Sequence, residues 1–285
     1  MHLFLKKPLV LIAILLCVGN IFIWYAVIHE DRSGVLKVDF LDVGQGDAIY
    51  IEAPNGNQVI VDGGPDRAVL RELSKVMPFY DRSIDMLVVT NPDTDHYAGF
   101  IDVLKNYEVR QVVEPGTYSP SATYKQFEND VILERATKTL VRKGMKIVLD
   151  EGVYIEIIFP DQDVSDFTTN DGSIIARLVC GNVSYMLTGD TTQKTERHLV
   201  LTDKKSLDST VLKVAHHGSR TSSGEEFVRA VSPDFVVISA GKNNKYGHPH
   251  KETVDTFSKL KIPILGTYTS GTIVTKTDGR GIEIE

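Results

Sequence analysis

A chain of 285 residues that is 42% hydrophobic has enough apolar material for one large core or two small ones. Its formal charge is −7, or −9 beyond residue 29 because residues 1–29 hold two lysines and no acid, which excludes the basic surplus that neutralises a phosphate backbone unaided. Only two cysteines, Cys17 and Cys180, are present, which excludes a disulfide framework or a thiolate zinc cluster and leaves His, Asp, Glu and Asn to hold any metal.

Pro8 to Ile28 is apolar apart from Gly19 and Asn20, long enough to cross the hydrocarbon core as a helix. Lys6 and Lys7 precede it, and His29, Glu30, Asp31 and Arg32 follow. The positive flank predicts a cytoplasmic N-terminus and a single-pass anchor over residues 1–29, held in the cell membrane through residues 8–28, with the remainder extracytoplasmic. The rival is a cleaved signal sequence and a secreted chain. Against it, the apolar run is long, and no small-x-small cleavage site follows Tyr25. A lipoprotein reading through Cys17 is opposed by Leu16, where a small residue is expected. Residues 30–34 read as a short polar linker, and residues 35–285 as one domain without a dividing linker or short repeat.

Leu36 to Val43 alternates polar and apolar residues, and Ala48 to Glu52 and Gln58 to Val61 continue a β-meander through Gly and Asn turns. Val69 to Met77 has helical spacing. Met86 to Thr90 is an apolar run too short for a helix and reads as a buried strand. Similar strands are predicted at Gln111–Val113, Met145–Leu149, Val153–Phe159, Ser173–Cys180, Val183–Leu187, Val211–Ala215 and Phe235–Ser239. Helices are predicted at Gly99–Asn106, Tyr124–Thr139, Gln193–Leu201, Glu225–Ala230 and Lys251–Leu260. The pattern predicts a layered α/β fold, two sheets covered by helices.

The strand ending at Thr90 runs into Asn91-Pro92-Asp93-Thr94-Asp95-His96. Pro92 keeps Asn91 extended, so the strand passes straight into a loop where several side chains can converge on one ion. Asp95 or Thr94 serving only as a helix cap is the competing reading. Other apolar strands end in the same manner: Asp62 in Val61-Asp62-Gly63-Gly64, Asp190 in Thr188-Gly189-Asp190, and His216 and His217 after Ala215. Four strand tips carrying Asp or His predict one cleft.

In their order these residues, with Asp42-Val43-Gly44-Gln45-Gly46-Asp47-Ala48 and Tyr246-Gly247-His248-Pro249-His250, resemble the metallo-β-lactamase superfamily, specifically the hydrolase domain of ComEC-type competence proteins. The similarity runs from about Val35 to the C-terminus. It implies an αββα sandwich, a metal-assisted hydrolase site between the sheets, and a phosphodiesterase or nuclease role in DNA uptake. By the resemblance, Asp95 and His96 are ligands of one metal, Asp190 bridges two, and a histidine of the 216/217 pair, taken as His216, completes the set. Asp62 orients a ligand.

The sequence departs from the superfamily pattern where Asn91 stands for a histidine and Asp93 for the next ligand, and no histidine occurs between His96 and His198. Asn170-Asp171-Gly172-Ser173 resembles the Asn/Ser segment of ComEC-type domains. One metal position is then left to Asn91, Asp93 and Asn170 or Ser173, hard donors that favour Mn²⁺ among two expected divalent ions, with Zn²⁺ or Mg²⁺ as alternatives. Asp95 is expected to position the attacking hydroxide, and His248 to protonate the leaving group or bind phosphate. Lys213 and Ser219 are candidates for contacting substrate oxygens, Lys213 alternatively being a solvated strand residue. His217 and Tyr246 are expected to support the site. Expected partners are DNA or another phosphodiester, the membrane, and a separately encoded DNA channel. The oligomeric state is not legible. The competing functions are the same fold acting on another phosphoester or a lactone, and a non-catalytic binding module.

Overall fold

The structure, a computed structural model, describes residues 6–29 and 34–285, and the chain divides into two compact units, Met1–Gly34 and Val35–Glu285. In the first, helix α1 (Lys6–His29) contains the window Pro8–Tyr25, of mean hydropathy 2.3, long and apolar enough to cross a membrane. Leu15, Phe22 and Trp24 on it are exposed. The linker expected over 30–34 lies, apart from Gly34, outside the described residues, as do Glu30, Asp31 and Arg32 of the charged flank.

The second unit opens with β1 (Leu36–Phe40), β2 (Ala48–Glu52), β3 (Gln58–Gly63), α2 (Ala68–Val76) and β4 (Ser83–Val88). It continues through α3 (Thr94–Tyr97), α4 (Phe100–Asn106), β5 (Glu108–Glu114), α5 (Ala122–Glu134) and β6 (Thr137–Leu140). Next come β7 (Lys146–Asp150), β8 (Val153–Phe159), β9 (Ile175–Cys180), β10 (Val183–Leu187), α6 (Gln193–Thr202), β11 (Val211–Lys213) and α7 (Glu225–Val231). The chain ends with β12 (Phe235–Ile238), α8 (Lys251–Leu260), β13 (Ile264–Gly266), α9 (Thr267–Ser270), β14 (Ile273–Thr277) and β15 (Ile282–Ile284).

Two sheets result, one of eight strands in the order β15-β14-β1-β2-β3-β4-β5-β6 and one of seven in the order β13-β12-β11-β10-β9-β8-β7. Side chains alternate faces along each strand, so Val59 and Val61 of β3 join Val88, Ile155, Leu178 and Val237 between the sheets. Ile60, from the same strand, turns outward to Leu73, Phe100 and Phe127 on α2, α4 and α5. On the far side Met186 and Leu212 meet Leu199, Phe227 and Phe257 on α6, α7 and α8. This is the expected αββα sandwich.

Two features differ from the sequence reading. The helix expected over Tyr124–Thr139 stops at Glu134, because Arg135 adopts a left-handed backbone (φ 62°) and sends residues 137–140 into β6, the edge strand beside β5. Strands β13, β14 and β15 were not anticipated; β14 pairs with β1 antiparallel, Val38 opposite Thr275, and thereby brings the end of the chain into the first sheet.

Candidate metal centre

β3 and β4 run parallel in one sheet, and β10 and β11 run parallel in the other, so their carboxyl ends deliver the predicted side chains to one edge of the sandwich. Asp62, at the end of β3, has φ 59°, outside the strand region, and is fixed there by contacts from three sides. It accepts from the Thr90 N–H at 2.8 Å and the Thr90 hydroxyl at 2.7 Å, and its Oδ2 lies 2.8 Å from His96 Nδ1. His216, His217 and Gly218 all have positive φ, a left-handed run that swings both imidazoles away from the line of β11. Gly189 has φ 49°, and a Cβ there would lie 2.8 Å from Thr90 Oγ1, so a glycine lets the β10 tip approach β4.

Asp95, His96, Asp190 and His217 each offer a ligand atom, and these atoms all lie within 4.8 Å of one another. His217 Nδ1 lies 3.0 Å from the carbonyl oxygen of Ser239, which can only accept, so Nδ1 carries a proton. Its Nε2 then faces carboxylates, 3.2 Å from Asp95 Oδ2 and 3.6 Å from Asp190 Oδ2. His96 repeats the arrangement, with Nδ1 on Asp62 and Nε2 3.1 Å from Asp190 Oδ2. Burial works against a charged imidazole at both positions, yet Asp190 and its companion acids win. His217 is pushed up to about 10 and His96 well above its ordinary value. Burial would likewise raise Asp190 and Asp95, but the imidazoles hold both below the usual carboxylate range. Two imidazole nitrogens and two carboxylates converging while their outer nitrogens are tied down fit a divalent cation. His96 Nε2 and Asp190 Oδ1 are buried without a hydrogen-bond partner, consistent with that fit. The second acidic group, Asp47, Asp62 and His96, already has a cation in place. Lys213 Nζ lies 2.7 Å from Asp47 Oδ2, and a cation beside that ammonium would be repelled.

The other expected residues are distributed unevenly. His217, expected in a supporting role, is 1% exposed and inside the group of four. His216, the expected ligand, is 25% exposed and stands 3.8 Å from Asp190 Oδ2, outside that group. The cause is the left-handed turn, which sends the two adjacent rings in different directions. Lys213 meets neither solvent nor an open cleft; it is buried on Asp47 and donates to Val214 O at 2.9 Å. Ser219 is also buried, its hydroxyl paired with Thr221 Oγ1 at 2.9 Å. Asn91 is buried, and its Oδ1 accepts from the Asp93 N–H at 2.9 Å, the geometry of an Asx turn. Asp93 is outside the group of four and accepts from the Thr169 hydroxyl at 3.0 Å. Asn170 Oδ1 is buried and without a hydrogen-bond partner, while Ser173 is buried with its hydroxyl 3.4 Å from Thr169 O.

His248 stacks on the exposed Tyr246 with centroids 5.7 Å apart and stands 6.1 Å from the His217 ring. Burial, then His217, His216 and His250, push His248 down to about 4, so it is a neutral imidazole at pH 7. Asp47 and Gln45 were given no role by the sequence reading. Gln45 Oε1 accepts from the Gly241 N–H at 3.1 Å, which fixes its amide and turns Nε2 to His248 Nδ1 at 3.4 Å. The motif 42–48 that contains both was visible, but their partners, Lys213 and His248, lie far along the chain.

An αββα sandwich with imidazoles and carboxylates gathered at its strand tips defines a metal-centred enzyme scaffold. The chain belongs to the metallo-beta-lactamase superfamily, whose model matches residues 41–242. It is 30% identical over 263 residues to ComE operon protein 3 of Bacillus subtilis (strain 168), covering 86% of this chain and 34% of that protein. It is 27% identical over 261 residues to competence protein ComA of Neisseria gonorrhoeae, covering 92% and 35%. The chain thus spans about a third of the length of these curated relatives. Among solved structures, CmlA, a diiron β-hydroxylase from Streptomyces venezuelae, is similar in fold, with TM-score 0.51 and 13% identity over 80% of this chain and 52% of that one.

Proposed function

We propose that the chain is a divalent-metal-dependent phosphodiesterase that cuts DNA on the outer side of a membrane to which α1 anchors it, in the service of DNA uptake. The observation that carries this reading is the pairing of His96 and His217, each with Nδ1 tied to a fixed acceptor and Nε2 turned to Asp95 and Asp190. The competence proteins among its relatives supply the substrate class. When bound, a divalent cation supplies Lewis acidity and a nucleophilic hydroxide at neutral pH. Mn²⁺ suits the oxygen-rich side, where Asn91, Asp93, Asn170 and Ser173 offer a second, weaker position.

The chain's own residues do the rest. Asp95 is the group's most open member, its side chain 32% exposed, and orients the attacking water. Asp62 and Ser239 O hold Nδ1 of the two rings, so that Nε2 is the nitrogen each ring would give to a metal on losing its proton. Gln45 Nε2 donates to His248 Nδ1, which places the His248 proton on Nε2, where it donates to a phosphate oxygen at the rim. Asp47 neutralises Lys213 and steadies His217 from behind, 3.3 Å from its Nδ1.

The test assays carbonate-washed membranes of cells making the full chain for Mn²⁺-dependent cleavage of single- and double-stranded DNA and of methyl p-nitrophenyl phosphate. Activity on all three in the washed membranes, reduced at least about 100-fold by Asp95→Ala, is the expected result. Cleavage of the small diester but not of DNA removes DNA as substrate, and activity found only in the wash removes the anchor.

A further inference from the structure

A cleft of 700 Å³ opens at the edge of the first sheet between the β5 tip, the loop 115–121, the first turns of α5 and β6. Glu114 and Thr117 line it, both buried, and Glu114 Oε1 and Thr117 Oγ1 have no hydrogen-bond partner. Buried polar atoms are nearly always paired, so two unpaired ones in one cleft point to a missing ligand. The wall is aromatic: Tyr118 is 60% exposed and stands edge-on to Tyr124, centroids 6.3 Å apart. The Tyr124 hydroxyl donates to Glu114 Oε2 at 3.2 Å, and Lys138 bridges Glu114 and Glu128. With Lys125 also lining the cleft, two cations balance two acids, a balance that suits neither an anion nor a cation. A planar, neutral heterocycle bearing N–H groups suits it best.

Two contacts tie the walls of the cleft to the segments that carry the metal-centre residues. Tyr97, directly after His96, has its hydroxyl 2.9 Å from that of Ser121, the N-cap of α5. On the other side Thr117 packs so closely on Gly172 that a Cβ there would collide with its methyl group, and this segment reaches Asp93 through Thr169.

We propose that this cleft is a base-binding subsite, in which a nucleobase of the bound strand stacks on Tyr118 and offers its N–H edge toward Glu114 and Thr117. It rests on the phosphodiesterase reading for its substrate, but is tested by binding rather than turnover. Stacking on an aromatic side chain is tolerant of sequence, so the subsite favours bases over bare sugar-phosphate without selecting one base strongly.

The experiment measures fluorescence anisotropy of phosphorothioate single strands of twelve nucleotides, intact or wholly abasic, bound to the full chain in Mn²⁺. Expected is at least about 10-fold tighter binding of the intact strand, a preference abolished in Tyr118→Ala and restored in Tyr118→Phe. Equal affinity for the two strands, or a preference unchanged in Tyr118→Ala, overturns the proposal. Hydrolysis of methyl p-nitrophenyl phosphate, which carries no base, reports separately on the phosphodiesterase reading. Its absence together with an intact Tyr118-dependent preference removes that reading and leaves the base site standing.

Discussion

Asp39 shows how a single buried carboxylate sets a pH dependence. It lies on β1, fully buried, with Lys37 Nζ 2.9 Å from its Oδ2. Burial outweighs Lys37 and pushes the carboxyl up to about 6. A raised carboxylate pKa means that the folded chain holds the proton more tightly than the unfolded one. This contribution is fully present below the unfolded value and is lost as pH rises through about 6. Asp39→Asn is therefore expected to stabilise the protein at pH 8 by up to about 3 kcal/mol, and by about 1 kcal/mol less at pH 5. Urea unfolding at the two pH values checks this; equal effects at both would show that Asp39 does not titrate as described. The same scale explains what was legible at the site. Asp95, His96 and Asp190 stand out because polar ligands closing apolar strands are rare without cause. That His217 rather than His216 joins the group of four was hidden, because it depends on three successive left-handed residues that the pair itself does not announce.

The end of α5 carries the corresponding lesson for elements. The spacing of Tyr124, Phe127 and Val131 continues plausibly past residue 134, and no Gly or Pro marks the stop. Arg135 ends the helix in a conformation that glycine adopts at far less cost. Arg135→Gly is expected to be neutral or stabilising by roughly 0.5–1 kcal/mol in thermal unfolding, whereas Asp62→Gly, at nearly the same φ, is expected to destabilise. The difference lies in the side chains. Arg135 caps with its backbone alone, while Asp62 receives Thr90 and His96. A destabilised Arg135→Gly would place the helix stop elsewhere. Strands β13 to β15 escaped the sequence reading for another reason: they are short, and their pairing is decided by distant partners, as with β14 on β1.

At the scale of the molecule, the layers were legible because strands of both sheets carry apolar residues on two faces, which only a sandwich covered by helices can bury. Strand order was not, since register and neighbours are settled by contacts across the whole chain. The fold in turn explains why the site could be anticipated: parallel strands from each sheet end at one edge, so residues separated in sequence share a cleft. On this account the metal centre is Asp95, His96, Asp190 and His217, with His216 at its open side. Calorimetric titration of the chelator-stripped full chain with Mn²⁺ tests that assignment most directly, comparing the unaltered protein with His217→Ala and His216→Ala. One tightly bound ion is expected, weakened at least about 100-fold by His217→Ala and less than about 10-fold by His216→Ala. An unchanged titration in His217→Ala, or loss of the ion in His216→Ala alone, would contradict it.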